Sequence, residues 1–319
     1  MSVIIFGSMN MDLVARTPRL PAPGETLMGH SFETVPGGKG ANQAVAVARL
    51  GIATQMVGRV GGDRFGEDLL AGLRSSGVGV EQVLVDQTTH SGVAVITVDD
   101  TSENNIVIVP GANGRVDQKD VERLQKLLSH SSSHPTSLQP KVLLLQLEVP
   151  LPAVVAAAQV AKQAGLTVIL DPAPARSDLP EDLYPLIDII TPNQVETGQL
   201  AGFPVTDLAT ASQAAAGLHQ RGVGTVITKL GKQGALCLSS CLSSTETFEI
   251  PIFPVKAVDT VAAGDAFNGG LAAGLAAGLS LRQAARQASA VAALSVTKAG
   301  AQPSLPTRAE LDAFLASQS

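Results

Sequence analysis

The sequence predicts an α/β protein with a mainly parallel central β-sheet and a second, smaller sheet beside it. Three observations carry this expectation. Short apolar runs recur at Val3–Phe6, Val142–Gln146, Thr167–Leu170 and Thr225–Lys229, as in strands covered on both faces. Segments of helical spacing separate them, the βα alternation of a parallel sheet. Polar and glycine-rich turns follow the predicted strand ends, where ligands of open α/β sheets collect.

Taken in order, Val3–Phe6 is the first strand, and Gly7-Ser8-Met9-Asn10-Met11-Asp12 places Asn10 and Asp12 just beyond its end. Alternation at 12–17 and 25–35, around Pro21, Pro23 and Gly24, predicts a strand pair. Gly37-Gly38-Lys39-Gly40-Ala41-Asn42 opens a helix to about Leu50. Thr54–Val57, a helix over 64–75 and Gln82–Val85 continue the pattern, and Gly92–Val98 with Asn104–Val109 predicts a hairpin. With the early strand pair, that hairpin builds a small sheet from two sequence-distant pieces, about 12–35 and 91–109, shaped to act as a water-excluding lid.

A helix over about 117–128 precedes the Ser/His/Pro-rich stretch 129–140, where His130 and His134 read as part of a solvated loop. The strand at Val142–Gln146 leads to Leu147 and Glu148. A helix over 151–164, strands at Thr167–Leu170 and Ile187–Ile190, a helix over 207–221, and strands at Thr225–Lys229 and near 235–239 and 246–251 follow. A β-branched run ends at Asp259-Thr260, and two Ala-rich helices, about 265–278 and 281–296, complete the core.

Composition narrows the function classes. The chain has 319 residues, 45% hydrophobic and 16% charged, so it buries a sizeable core. A net charge of −6, no Trp and one Tyr argue against nucleic-acid binding and base-stacking platforms. Cys237 and Cys241 supply neither a disulfide framework nor a four-ligand zinc pattern, which fits a reducing, cytoplasmic setting. The N-terminus lacks the basic segment and long apolar core of a signal peptide. No apolar run reaches membrane-spanning length, and four glycines interrupt the one from Ala266 to Leu279.

Three motifs carry chemistry. The stretch 255–270 places Ala262, Ala263 and Gly264 ahead of Asp265 at a helix start. Two readings stand: a helix cap, or an anion site of free N–H groups with a carboxylate beside it to take a proton. The run Gly37–Asn42 is either a flexible turn or a close-approach loop whose Lys39 and Asn42 offer donors to sugar or phosphate. It lacks P-loop spacing, and no dinucleotide fingerprint follows the first strand. In Thr191-Pro192-Asn193-Gln194-Val195-Glu196, Asn193 and Glu196 share one helical face, as a capping pair or as groups ordering water around Mg²⁺.

Together these motifs, with Gln146-Leu147-Glu148, Asp171-Pro-Ala-Pro-Ala175 and the ending Gly300-Ala301-Gln302-Pro303-Ser304, closely resemble the ribokinase family of carbohydrate kinases. Their order and spacing match from Val3 to about Ser304. The resemblance implies a single kinase domain over 1–319, with a three-layer α/β/α core and a small β-sheet lid. It implies transfer of the ATP γ-phosphate to O5 of D-ribose. Asp265 would be the base, and the backbone of Ala262, Ala263 and Gly264 the anion hole. Asn10, Met11, Asp12, Gly38, Lys39, Gly40, Ala41, Asn42 and Glu148 would hold the sugar. Asn193 would face the nucleotide phosphates and Glu196 the Mg²⁺ water shell. Lys229, Leu230, Gly231, Lys232, Gln233 and Gly234, with Ser289, would line the nucleotide site. Asp259, Val261, Ser295, Lys298, Gly300 and Ser304 would ligate a monovalent cation, K⁺, largely through carbonyls. Lids of this family pair two subunits, so a homodimer is expected. A kinase for deoxyribose, fructose or a nucleoside, and a non-catalytic sugar sensor on the same fold, are the alternatives. Three positions depart from the pattern: Gln194 where Glu is usual, Lys229 where Thr is frequent, and Asp171 where Asn is frequent.

Overall fold

The computed structural model describes residues 1–101, 103–133, 139–241 and 244–318. Strand β1 (Ser2–Phe6) lies in parallel between β4 (Ala53–Gly61) and β8 (Pro140–Leu145), and β5 (Val78–Asp86) extends the sheet beyond β4. On the other side follow β9 (Thr167–Leu170), β10 (Ile189–Ile190) and β11 (Thr225–Lys229), also parallel. Antiparallel β12 (Ala235–Cys241) and β13 (Ser244–Ile250) complete a sheet of nine strands among the described residues.

The alternation of β1 divides the core. Val3 and Ile5 join one apolar cluster with helices α1 (Lys39–Arg49), α2 (Arg64–Ser75), α7 (Ala263–Ala276) and α8 (Leu281–Ser295). Ile4 and Phe6 join the other with α3 (Gln118–Ser133), α4 (Leu151–Gln163) and α6 (Leu208–Gln220). Successive side chains of a strand face opposite ways, so a continuous apolar run needs helices on both faces. The result is the expected three-layer α/β/α core.

The second sheet runs β3 (Ser31–Gly37), β2 (Asn10–Thr17), β6 (Gly92–Asp99), β7 (Asn104–Val109). Its outer pairs are antiparallel, and β2–β6 is parallel. It is built from the two distant segments expected.

Several boundaries differ from the sequence reading. Asn10 and Asp12 open β2 rather than sitting in a loop after β1, so alternation puts them on one face. Residues 25–30 form no strand, where Pro23 and Gly24 break the ladder. Helix α3 continues through Ser133 and includes His130, because Ser is tolerated in a helix that an apolar face already holds. His134 and the rest of 134–138 lie outside the described residues. The approach to Asp259 forms no strand: Pro251 and Pro254 remove ladder donors, and Val258 and Asp259 instead donate to the Val296 carbonyl. A last helix, α9 (Arg308–Ser317), lies beyond the two Ala-rich helices. Thr307 and Glu310 cap it reciprocally, a Thr-x-x-Glu signal legible in the sequence.

Candidate active site

Parallel strands that all run one way bring their carboxyl ends to one edge of the sheet. There the chain emerges at Gly7–Met9 after β1, Gln146–Glu148 after β8, Asp171 after β9, Asn193 after β10 and Lys229–Gly234 after β11. The N-termini of α1 and α7 meet the same edge.

Helix α7 starts without a side-chain cap. Its N-cap, Ala262, adopts φ 59°, the only positive φ among described non-glycine residues. Such a conformation costs about 1–3 kcal/mol and recurs at functional sites. The N–H groups of Gly264 and Asp265 meet no acceptor among the described residues. Uncapped N–H groups at the positive end of a 14-residue helix are an arrangement that favours an anion.

Asp265 sits in the first turn of α7, buried. Asn42 Nδ2 donates to its Oδ2 and Gln43 Nε2 to its Oδ1, both at 2.9 Å. Burial raises the Asp265 carboxyl to about 6 and the Asp171 charge adds to it, while Lys39 and the two amides pull the other way. A carboxylate in that range accepts a proton well near neutral pH.

Glycines bring α1 against the end of β1. A Cβ on Gly40 would lie 2.6 Å from Ser8 N. On Gly38, at φ 87°, it would lie 2.7 Å from Asn10 N. Behind them Glu148 Oε2 accepts from Ser8 Oγ at 2.5 Å and from Lys39 N at 3.0 Å. Asn113, from the turn after β7, donates to Asn10 Oδ1 at 2.7 Å and clamps Met9 through both its N–H and its carbonyl. Asp12 is raised to about 7 by burial and by the charges of Glu148 and Asp265. Burial pulls the Lys39 ammonium down, but Asp265, Asp171, Glu148 and Glu196 outweigh it and lift it above the ordinary lysine range. Met11 and Ala41 are buried around this cradle.

On the other side of Asp265, Asn193 caps α5 (Gln194–Ala201) in a full capping box. Asn193 N and Nδ2 donate to the two Glu196 carboxylate oxygens at 2.7 and 2.8 Å, and Glu196 N returns a bond to Asn193 Oδ1 at 2.9 Å. The capping reading of this pair is therefore present in the structure. Lys229 pairs with Asn193 in an isolated parallel bridge. The turn that follows contains Leu230, buried, and Gly231, Lys232 and Gln233, exposed. Gly234 packs on the Ile250 carbonyl, and Ser289 Oγ donates to Pro251 O at 2.7 Å, so both flank the same segment.

Asp259 ties two further stretches together: its Oδ1 accepts from Val261 N at 3.0 Å and its Oδ2 from Gly300 N at 2.9 Å. Lys298 pairs with Glu310 at 2.6 Å, and the Ser295 and Ser304 hydroxyls bond nearby carbonyls. What these residues present to an ion is carbonyl oxygen. Those of Asp259, Val261, Lys298 and Gly300 accept no hydrogen bond from a described residue. No group of three or more His, Cys, Asp or Glu able to hold a metal occurs among the described residues.

Residues the sequence reading left out also stand here. Gln43 Oε1 accepts from Gln146 Nε2 at 2.6 Å while its amide reaches Asp265 and Asp171. Gln43 directly follows the Gly37–Asn42 run in the sequence, a signal that could have found it, whereas Asn113 has no local signal.

Residues 1–308 match the model of the pfkB family of carbohydrate kinases. The ribokinase of Haemophilus influenzae is 40% identical, with 98% of each chain covered. A deoxyribokinase of Salmonella typhi is 35% identical, with 99% of each covered. The structure of Arabidopsis thaliana ribokinase complexed with ribose and ATP superposes with a TM-score of 0.87 at 33% identity over 98% of each chain. The chain belongs to the pfkB family of carbohydrate kinases.

Proposed function

We propose that this chain transfers the γ-phosphoryl group of ATP to O5 of D-ribose, giving ribose 5-phosphate and ADP. The observation that carries the reading is the placement of Asp265. It joins a hydroxyl-binding cradle to an uncapped helix N-terminus, and two amides hold its carboxylate between them. Phosphoryl transfer needs positioning and electrostatic stabilisation more than covalent chemistry. Asp265 takes the O5 proton, and the α7 N–H groups receive the phosphoryl oxygens. Asn10, Asp12, Gly38, Lys39, Asn42 and Glu148 hold the sugar. Asn193 and the turn from Lys229 to Gly234, with Ser289, hold the nucleotide.

Five carboxylates (Asp12, Glu148, Asp171, Glu196 and Asp265) face two ammonium groups (Lys39 and Lys229) in this cleft. Such a balance suits a polyphosphate accompanied by a divalent cation. Glu196, raised by burial and by the Asp171 charge, would orient water on Mg²⁺, which neutralises phosphate charge when bound. The carbonyls of Asp259, Val261, Lys298 and Gly300, with Ser295 and Ser304, would hold K⁺, a cation suited to neutral oxygen donors. The two-segment sheet acts as a lid in one kinase domain. Its exposed Ile106, Val107, Ile108 and Val109 pair two copies into a homodimer. The setting is cytoplasmic, consistent with buried, unpaired Cys237.

The similarity to a deoxyribokinase favours 2-deoxyribose as a second reading. A panel of ribose, deoxyribose, fructose and nucleosides at fixed ATP tests both. Ribose should give the highest kcat/KM; preference for deoxyribose overturns the first reading and leaves the kinase assignment standing. Ribose binding without ATP turnover would instead identify a sensor.

A further inference from the structure

We propose that the Lys229 ammonium is the side-chain cation that meets the phosphoryl group in flight, and that Asp171 is the residue that positions it. The proposal rests on the kinase reading above and goes beyond a nucleotide-lining role for Lys229.

Lys229 ends β11, its backbone held by the Pro192 carbonyl at 2.8 Å. Its side chain turns inward with 16% exposure, and Nζ lies 3.1 Å from Asp171 Oδ1, itself 3% exposed. From there Nζ stands 3.5 Å from the point where a Cβ on Gly264 would be. An ammonium is thus held against the positive end of α7, beside two N–H groups that no described residue satisfies. Like charges repel, and a cation at a helix N-terminus opposes the dipole. Asp171 offsets that repulsion from the side. An anion seated between Nζ and the α7 N–H groups turns both into attractions, and the transferred phosphoryl group is the anion the proposed reaction brings there.

The anchor is tied to the base. Asp171 Oδ2 accepts from Gln43 Nε2 at 2.9 Å, and the same amide donates to Asp265 Oδ1 at 2.9 Å. One side chain therefore sets the spacing between the base and the holder of the cation. In the step itself, the O5–Pγ bond forms and the bond from Pγ to the β,γ-bridging oxygen breaks, its electron pair leaving with ADP. The O5 proton goes to Asp265. Lys229 donates a hydrogen bond to a phosphoryl oxygen and keeps its proton. Asp171 touches none of the reacting atoms and acts through Lys229.

The test uses the full chain with ATP and D-ribose. Lys229→Met should lower kcat about 10²–10³-fold, the cost of removing one preorganised donor. Ribose affinity measured by calorimetry without nucleotide should stay within about twofold, which also reports an intact fold. Lys229→Arg should recover part of kcat and serves as the deciding variant if Lys229→Met does not fold. Asp171→Asn should cost about tenfold in wild type and nothing further in the Lys229→Met background, because a residue acting through another has no separate effect. Lys229→Met with kcat within threefold of wild type overturns the proposal, as does a loss confined to KM for ATP. An Asp171→Asn loss of equal size in both backgrounds removes Asp171 from its positioning role. Wild type without turnover on any sugar overturns the kinase reading and this proposal together.

Discussion

Asn42 donates its side-chain amide to Asp265 Oδ2 at 2.9 Å across 223 residues of sequence. This contact joins the glycine-rich start of α1 to the uncapped start of α7. It makes one site of two helix N-termini that approach from different parts of the chain.

Activity should follow the state of Asp265. With the carboxyl raised to about 6 by burial, it is protonated in acid and cannot accept a proton. At saturating ribose kcat should rise with unit slope below pH about 6 and level above it, while kcat/KM should also carry the ionisation of Asp12 near 7. Asp265→Asn should lose about 10²–10⁴-fold at the plateau. A variant with near-wild-type turnover would remove Asp265 from the chemistry.

Stability of the ligand-free chain should carry the opposite pH signature. Asp12 and Asp265 are raised from 3.8 to about 7 and about 6, so the native state binds protons that the unfolded chain has released. Their contribution is fully present below the unfolded pKa and is lost as pH rises through about 6 and 7. Asp12→Asn should therefore narrow the difference in melting temperature between pH 5 and pH 8 while weakening ribose binding. An unchanged difference would show that Asp12 ionises freely in the native state.

Gly40→Ala tests the close approach of α1 to β1. The added methyl would sit 2.6 Å from Ser8 N, a distance that forces backbone to move. We expect a loss of about 1–3 kcal/mol in denaturant unfolding, as for other overpacked sites. The loss of ribose affinity should exceed any change in KM for ATP, since Glu148, Ser8 and Lys39 are knit at that point. Equal losses for both substrates would argue against a separate sugar cradle.

The exposed β7 edge predicts self-association. Ile106, Val107, Ile108 and Val109 are all exposed on one edge strand, the kind of edge that proteins cover. Light scattering should give a dimer in wild type and a monomer for Ile108→Lys. A wild-type monomer at micromolar concentration would refute pairing through this sheet.

Much of this molecule follows from local pattern. The apolar runs, the helix over 64–75, the hairpin of β6 and β7 and the two-piece small sheet are set by periodicity and turn chemistry, which act over a few residues. The motifs at Gly37–Asn42, Asn193–Glu196 and 255–270 declare their residue types in the same way. The β-branched run before Asp259 forms no strand, and Pro251 and Pro254 already mark it in the sequence as unable to supply a full ladder.

Local pattern fixes the alternation of strand and helix, and which polar groups stand at strand ends. Which of these groups meet is set by the packed fold. Gln43 between Asp171 and Asp265, Asn113 on Asn10 and Lys229 beside Gly264 at the start of α7 are contacts between residues far apart in the chain, up to 222 positions, that no local rule encodes. Strand order in the sheet sets them: β1, β8, β9, β10 and β11 lie side by side, so their carboxyl ends share one edge. Side-chain chemistry is a property of residues, whereas the distances that give Asp265 its raised pKa belong to the packing.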